Sequence, residues 1–397
     1  MNRVAINMKK TSLLFLLLIT LFSNPIKAFE LSDSCAISLI TCSPGNELYS
    51  AFGHSGIRIV DYKQDFDYIF NYGTFDFNQP NFYTNFMKGK MWYAIGVDDF
   101  YSFYKSYEFE QRDIFEQKLA LSTEEIKKTF AFLDENLKPE NKFYRYDFLN
   151  DNCSTRLLDV FNKNCNKPIS LNYSQFGKPT TYRNLINEYS QHLLWEQLGM
   201  NLLIGAPVDK TIPYSGNLFL PDYLMKGMNG ATFQQSNTKI AAAPTLLLKA
   251  YQTIKQTFFS QPNLVLGLFV LLFVLLIFVE IKRRKTFKLA DILVFSLFGL
   301  IGCLFASMWL FTEHYTTYWN YNLLWANPVT LLVVFLLFFK NKKPFTIGLT
   351  IVGLLLAIFW IGNYFIPQQF IFPIYLLALL VSLRVLVNFI VLKNNNN

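Results

Sequence analysis

The strongest constraint on this chain lies in its C-terminal third. Five apolar runs, residues 263–281, 289–311, 322–339, 345–365 and 370–392, follow one another with only short loops between them. A hydrocarbon core about 30 Å thick needs roughly 20 such residues in a helix, and the third run is the shortest of the five. Lipid leaves no partner for a free backbone N–H or C=O, so segments of this kind cross it as helices. Residues 263–397 are therefore expected to form an all-α transmembrane domain of five spans. The loops alternate in charge. Lys282, Arg283, Arg284, Lys285 and Lys288 follow the first run, Lys340, Lys342 and Lys343 the third, and Lys393 the fifth, whereas residues 312–327 and 366–369 hold no Lys or Arg. The excess of positive charge on cytoplasmic loops then predicts one topology, with everything before the first run on the outer side. Arg384 falls inside the fifth run; it either faces the bundle interior or snorkels to the cytoplasmic surface.

A formal net charge of +8 would ordinarily suggest a nucleic-acid partner. Its distribution argues against one: between Ala28 and Pro262, 22 basic residues are outnumbered by 25 acidic ones. The excess thus sits in the membrane loops and in residues 1–28, where Arg3, Lys9 and Lys10 precede an apolar stretch and Ala28 offers a small residue for cleavage. That is the pattern of an export signal, or of an uncleaved anchor.

Residues 29–230 are long enough for one domain with its own core. Both periodicities occur. Residues 56–60 and 68–77 read as strands, and residues 122–136 as a helix opened by the capping box Ser122-Thr-Glu-Glu125, with Ile126, Phe130 and Leu133 on one face. A second helix is expected to start near Cys153, and a third to cover residues 182–198. The fold class is α+β. Residues 231–262 read as a linker in which Leu247, Tyr251, Ile254 and Phe258 recur at helical spacing, predicting an amphipathic helix at the membrane surface or against the domain.

Cys153 stands where the polar turn Asp147-Phe-Leu-Asn-Asp-Asn enters an apolar helical run. Unpaired N–H groups and the dipole at a helix start lower a thiol pKa, which makes a nucleophile. Cys35, Cys42 and Cys165 share the exported region, where disulfides are common, while Cys303 lies mid-membrane. A thiol nucleophile wants an imidazole. Of three histidines, His192 falls within an expected helix and His314 in an outer loop; His54 opens a strand between Gly53 and Gly56, which allow close approach to its ring. A Cys–His pair built from a helix start and a strand start is the arrangement of papain-like hydrolases. No metal-ligand cluster, phosphate loop or nucleotide motif is apparent, so neither a metal nor a cofactor is expected.

The order of a histidine strand followed by an Asn-Cys helix start resembles the circularly permuted NlpC/papain-like fold, to which lecithin–retinol acyltransferase-type enzymes belong. Four segments, Thr41-Cys-Ser-Pro-Gly-Asn-Glu-Leu-Tyr-Ser-Ala-Phe-Gly-His54, Asn71-Tyr-Gly-Thr-Phe75, Asn152-Cys-Ser-Thr-Arg156 and Phe219-Leu-Pro-Asp222, resemble the Lnb family of lipoprotein N-acyltransferases. The resemblance implies a multi-pass protein of the bacterial inner membrane with its catalytic domain in the periplasm. It implies acyl transfer from a phospholipid, through a thioester on Cys153, to the α-amino group of a diacylated lipoprotein, with His54 as general base. In that fold the residue orienting the histidine sits on the following strand, which points to Asn71 or Tyr72. Ser154 is expected near an oxyanion hole, and Arg156 either binds a lipid phosphate or pairs with Asp151 or Asp159. His314, Asn320 and Asn322, in an aromatic-rich outer loop, form a possible substrate loop, or else an aromatic belt with helix caps. Two competing readings remain: a membrane-tethered cysteine peptidase or amidase acting on cell-wall peptides, and a non-catalytic assembly module with Cys153 in a disulfide, for instance to Cys165.

Overall fold

The computed structural model describes residues 29–75, 80–234, 238–251 and 257–396. The expected export signal lies outside them, as does Ile254 of the expected interfacial helix.

The soluble domain is a mixed α/β structure. Strands β1 (Cys35–Cys42), β2 (His54–Asp61), β3 (Phe66–Thr74), β4 (Trp92–Asp99), β5 (Ile114–Lys118) and β6 (Phe143–Arg145) alternate with helices α1 (Phe82–Met87), α2 (Phe100–Phe109), α3 (Thr123–Leu137) and α4 (Cys153–Asn164). Then come β7 (Ile169–Ser170), α5 (Tyr182–Tyr189), α6 (Leu194–Leu203), α7 (Pro221–Met228), β8 (Thr232–Phe233) and β9 (Thr245–Leu248). Seven strands form one antiparallel sheet in the order β6-β4-β3-β2-β1-β5-β9, while β7 and β8 pair separately.

Strand alternation divides the side chains between two layers. Ile37, Leu39, Ile57, Ile59, Phe70 and Tyr72 pack with Ile126 and Leu133 of α3 and Leu157, Val160 and Phe161 of α4. Ile40, Cys42, Ile69 and Ile114 face the other way, against Phe100, Phe103 and Tyr107 of α2. Each fully buried aliphatic or aromatic side chain contributes about 1.5–3 kcal/mol. The capping box at α3 is present as expected: Ser122 Oγ accepts from Glu125 N, and Glu125 Oε2 accepts from Ser122 N at 2.9 Å.

Two expectations change. The helix expected over residues 182–198 is broken into α5 and α6, because Ser190 donates its hydroxyl back to Ile186 O and His192 Nε2 turns to Gly45 O at 2.8 Å. The interfacial helix is overturned over residues 245–248. Those residues form β9, which covers the edge of β5 and takes up backbone groups that an open edge would leave unpaired. The soluble domain accordingly runs on to Leu248, past the boundary expected at residue 230.

Beyond it stand four helices long and apolar enough to cross a membrane: α8 (Pro262–Arg283), α9 (Lys288–Phe311), α11 (Lys343–Gly362) and α12 (Phe372–Asn396). The third apolar run does not form one long helix. Residues Tyr321–Leu324 make a 3-10 turn, and α10 (Val329–Leu336) starts only after Pro328. Its eight residues rise about 12 Å, well short of a hydrocarbon core. Both basic-free loops meet the soluble domain: Gly205 N donates to Thr316 O (2.8 Å), Ala206 N to Trp319 O (3.2 Å) and Gln368 Nε2 to Ile204 O (3.4 Å). These loops therefore lie on the soluble domain's side, as the charge pattern requires. The approach is close enough that a Cβ on Gly205 would lie 2.0 Å from Tyr318 O.

Arg384 does not snorkel. It is fully buried, with Nη1 on Glu280 Oε2 (2.7 Å) and Nε on Asp291 Oδ1 (3.1 Å), and Asn388 Nδ2 joins at Asp291 Oδ1 (2.6 Å). The network ties α8, α9 and α12 together.

Candidate active site

Cys153 opens α4 because Asn152, in extended conformation, ends the preceding turn. The Asn152 amide oxygen accepts from Ser154 N (2.9 Å) and Thr155 N (3.1 Å), and Thr155 Oγ1 accepts from Asn152 N (2.9 Å). The Asn152 amide nitrogen donates to Phe148 O (2.9 Å) and Phe219 O (2.7 Å), which anchors the cap to the turn before it and to the segment preceding α7. Sequence reasoning named Asn152 only as part of a motif; its role is to position the thiol.

The helix start meets the sheet where β2 and β3 run past their last paired rung, Ile57 opposite Phe70. Ser55 is the point of contact. Its Oγ lies 3.1 Å from Ser154 Oγ, and its backbone N–H favours a charge on the Cys153 sulfur. On β3, Gly73 has φ +85° within a register shift against β4, and the position of its missing Cβ is 3.6 Å from Cys153 Cβ. His54 immediately precedes Ser55, so its side chain leaves the opposite face of β2, the face it shares with Asn71, and among the described residues no hydrogen bond joins its ring to the Cys153 sulfur.

His54 Nε2 is 3.0 Å from Asn71 Oδ1. An amide oxygen only accepts, so Nε2 carries the proton and Nδ1 keeps the lone pair. Asn71 Nδ2 in turn donates to Asp98 Oδ2 at 3.2 Å, which sets the sense of the amide. The glycine after His54 serves this contact: a Cβ on Gly56 would lie 2.8 Å from Asn71 Oδ1. Tyr72, one residue on, points to the opposite face, buried edge-on to Tyr144. Of the two candidates on β3, Asn71 is the partner of the imidazole.

The electrostatics depart from expectation. Burial pushes the Cys153 thiol above its ordinary range, outweighing the Ser55 N–H and the Ser154 hydroxyl and N–H that favour the thiolate. The helix start offers less than its position promises, because Asn152 already occupies the Ser154 and Thr155 N–H groups. Burial also drives the His54 pKa down to about 4, against the Asn71 hydrogen bond, which raises it. At rest the thiol and the imidazole are thus each neutral. Alkylation of Cys153 by iodoacetamide is expected to speed up with pH beyond the ordinary thiol value of about 8.5, with no plateau near neutrality. A plateau below pH 7 would mean a preformed thiolate–imidazolium pair. The imidazole also has a stability consequence. Between about 6.5 and 4 the unfolded chain binds a proton at His54 that the folded chain does not, so this contribution is complete above 6.5 and lost as pH falls through that window.

All five cysteines are free. Cys153 opens the twelve-residue α4 and Cys165 follows it, about 18 Å apart along its axis, too far for a bridge. Cys42 pairs in register opposite His54, but burial pushes its thiol up to about 12, and it packs against Tyr107. Arg156 is committed: its guanidinium grips Asp151 at 2.6 and 2.8 Å and lies 3.5 Å over the Tyr144 ring, so a phosphate would have to displace Asp151.

The outer loop divides. Asn320 Nδ2 donates to Leu202 O (2.8 Å) and Leu203 O (3.1 Å), and Asn322 Nδ2 to Asn201 O (3.2 Å) and Leu202 O (3.1 Å). Both asparagines are buried and satisfy the carbonyls at the end of α6, a capping and docking role in place of substrate contact. His314 differs: it lines a cavity of about 220 Å³ between the soluble domain and the membrane loop, together with Gly89, Met91, Tyr146, Ile204 and Glu313. The Tyr146 ring borders this cavity and also packs at Gly73, beside Cys153.

Residues 24–188 match the Lnb N-terminal periplasmic domain, and residues 253–396 match the Lnb transmembrane domain. Neither a curated protein nor a solved structure matches the chain.

Proposed function

Because this chain belongs to the Lnb family, with a periplasmic domain joined to apolar membrane helices, we propose that it is a lipoprotein N-acyltransferase. The observation that carries the reading is the corner where Cys153 meets the residue next to His54, separated by the Tyr146 ring from a cavity that opens at the membrane loop.

The residues present suit a two-step transfer. His54 Nδ1 takes the Cys153 proton as the sulfur attacks an ester carbonyl of a glycerophospholipid; the raised thiol pKa makes that transfer concurrent with attack. The backbone N–H of Cys153, which the Asn152 cap leaves aside, serves as the donor to the oxyanion in this reading. The imidazolium then protonates the departing glycerol oxygen, yielding a lysophospholipid and an acyl-thioester on Cys153. The α-amino group of a diacylated lipoprotein attacks the thioester, its proton passes to His54, and the thiol is restored as the amide forms. Asn71 holds the ring in the tautomer that both steps need. The burial that shifts both pKa values also limits access of water, which would otherwise compete for the thioester.

Two structural readings belong to the same proposal. A His-bearing strand that precedes a Cys-bearing helix in an antiparallel sheet fits a circularly permuted NlpC/papain-like fold. The short α10 with its flanking turns serves as a third crossing of the inner membrane, since α9 ends beside the soluble domain and α11 begins among Lys340, Lys342 and Lys343.

The test uses purified full-length protein in phospholipid vesicles without any lipoprotein. Peptide mass spectrometry is expected to find one fatty acyl group on Cys153, removed by hydroxylamine and discharged when a diacylated lipopeptide is added. A peptidase or an assembly module would leave Cys153 unmodified.

A further inference from the structure

The cavity at the domain–membrane boundary has a charged mouth that the acyl-transfer chemistry does not use. Glu313, on the outer loop, pairs with Arg145 of β6 and with Lys90 (3.4 Å), while Arg145 Nη2 also donates to Gly89 O at 3.1 Å. All three side chains are about half exposed. Two cations share one carboxylate at the rim, an excess of one positive charge there, with the Asp147 carboxylate in the cavity wall behind it. Glu313 and Gly89 belong to the cavity wall, so the charge stands at its entrance.

The depth of this entrance is set by α9, whose outer end is Phe311, two residues before Glu313. Spanning helices end at the level of lipid headgroups. Alongside, α1 leaves Tyr83, Phe86 and Met87 exposed, and His314 Nε2 binds Phe86 O at 2.8 Å, which holds that aromatic helix to the same loop. Apolar side chains at the lip, a positive pair just above them and a cavity behind match the order of acyl chain, phosphate and glycerol ester in a phospholipid lying in the outer leaflet.

We propose that Lys90 and Arg145, poised by Glu313, bind the phosphodiester of a glycerophospholipid whose glycerol ester enters the boundary cavity toward Cys153. The role as acyl donor rests on the function proposed above, but the binding site does not need it. Lys90 supplies a point charge and Arg145 a planar fork, and Glu313 is the group that the phosphate displaces.

Full-length Cys153→Ser protein in detergent, which cannot form the cysteine thioester, separates binding from chemistry. Native mass spectrometry would measure retention of an ether-linked phosphatidylethanolamine, with the matching dialkylglycerol as a phosphate-free control and glycerol 3-phosphate as a soluble competitor. Lys90→Ala with Arg145→Ala is expected to weaken phospholipid retention by at least about tenfold and leave dialkylglycerol unchanged. Glu313→Gln is expected to hold the phospholipid as well or more tightly, because the competing carboxylate is gone. Equal loss in Glu313→Gln and in the double variant would mark the trio as a strut and overturn the proposal. So would undiminished retention in the double variant, a parallel loss of dialkylglycerol, or full competition by glycerol 3-phosphate, which would make the ligand a soluble phosphate. Failure of Cys153 to acquire an acyl group in the wild-type protein would leave these binding results intact, so the two ideas fail separately.

Discussion

On the proposed acyl transfer, alanine at Cys153 or at His54 is expected to leave lipoproteins diacylated, with a free α-amino group. Mass spectrometry of lipoprotein N-terminal peptides reads the result directly. Removing the nucleophile is expected to lower turnover by about four orders of magnitude or more. His54→Ala should be almost as damaging for a reason specific to this site. Burial holds the thiol above its ordinary pKa, so with no base beside it almost no thiolate exists at neutral pH. The two losses should not add in the double variant, because sulfur and imidazole act as one unit. Asn71→Ala is expected to fall short of either, since it removes the hydrogen bond that orients the ring and leaves the base in place. Unchanged triacylated product from either single variant, at normal protein abundance, would strike that residue from the mechanism.

Arg384→Ala is expected to destabilise the membrane domain by about 3–5 kcal/mol, seen as a lower melting temperature in detergent and reduced abundance in cells. The substitution strands Glu280 and Asp291 without their shared cation, and both carboxylates are fully buried. Asp291 Oδ2 already lacks a partner among the described residues, so nothing nearby is free to compensate. Arg384→Met combined with Glu280→Gln and Asp291→Asn should recover much of the loss, since neutral groups of similar volume carry a far smaller desolvation cost. A melting temperature unmoved by Arg384→Ala would mean that the three helices are held by apolar packing alone. Acyl transfer by the rescued triple variant should persist, because the network lies on the face of the membrane domain remote from Cys153.

Much of this architecture could be read along the chain. Apolar runs of spanning length with alternating basic loops placed the soluble domain and the loops at residues 312–327 and 366–369 on one side, and the hydrogen bonds from Gly205, Ala206 and Gln368 agree. The capping box at Ser122 and the helix start at Cys153 were likewise legible, because a helix terminus is specified within four residues. The third apolar run folds as a turn and a short helix in place of one long helix: hydropathy counts residues, and it does not register that Asn320 and Asn322 would turn toward the carbonyls of α6. The strand at residues 245–248 was missed because four residues suit either periodicity until a neighbouring edge selects one.

At the candidate site the division is sharper. Which sulfur and which ring could react follows from residue type and local pattern, since a nucleophile at a helix start and a histidine at a strand start are properties of short segments. Three things needed the folded chain. Register alone chose Asn71 over Tyr72, because two adjacent residues on one strand face opposite sides of a sheet. Asn152 took the N–H groups that the sequence credited to the thiol. Burial then raised the thiol pKa where the helix start had promised a lower one. Desolvation and strand register arise between segments far apart along the chain, and no short stretch of it encodes either.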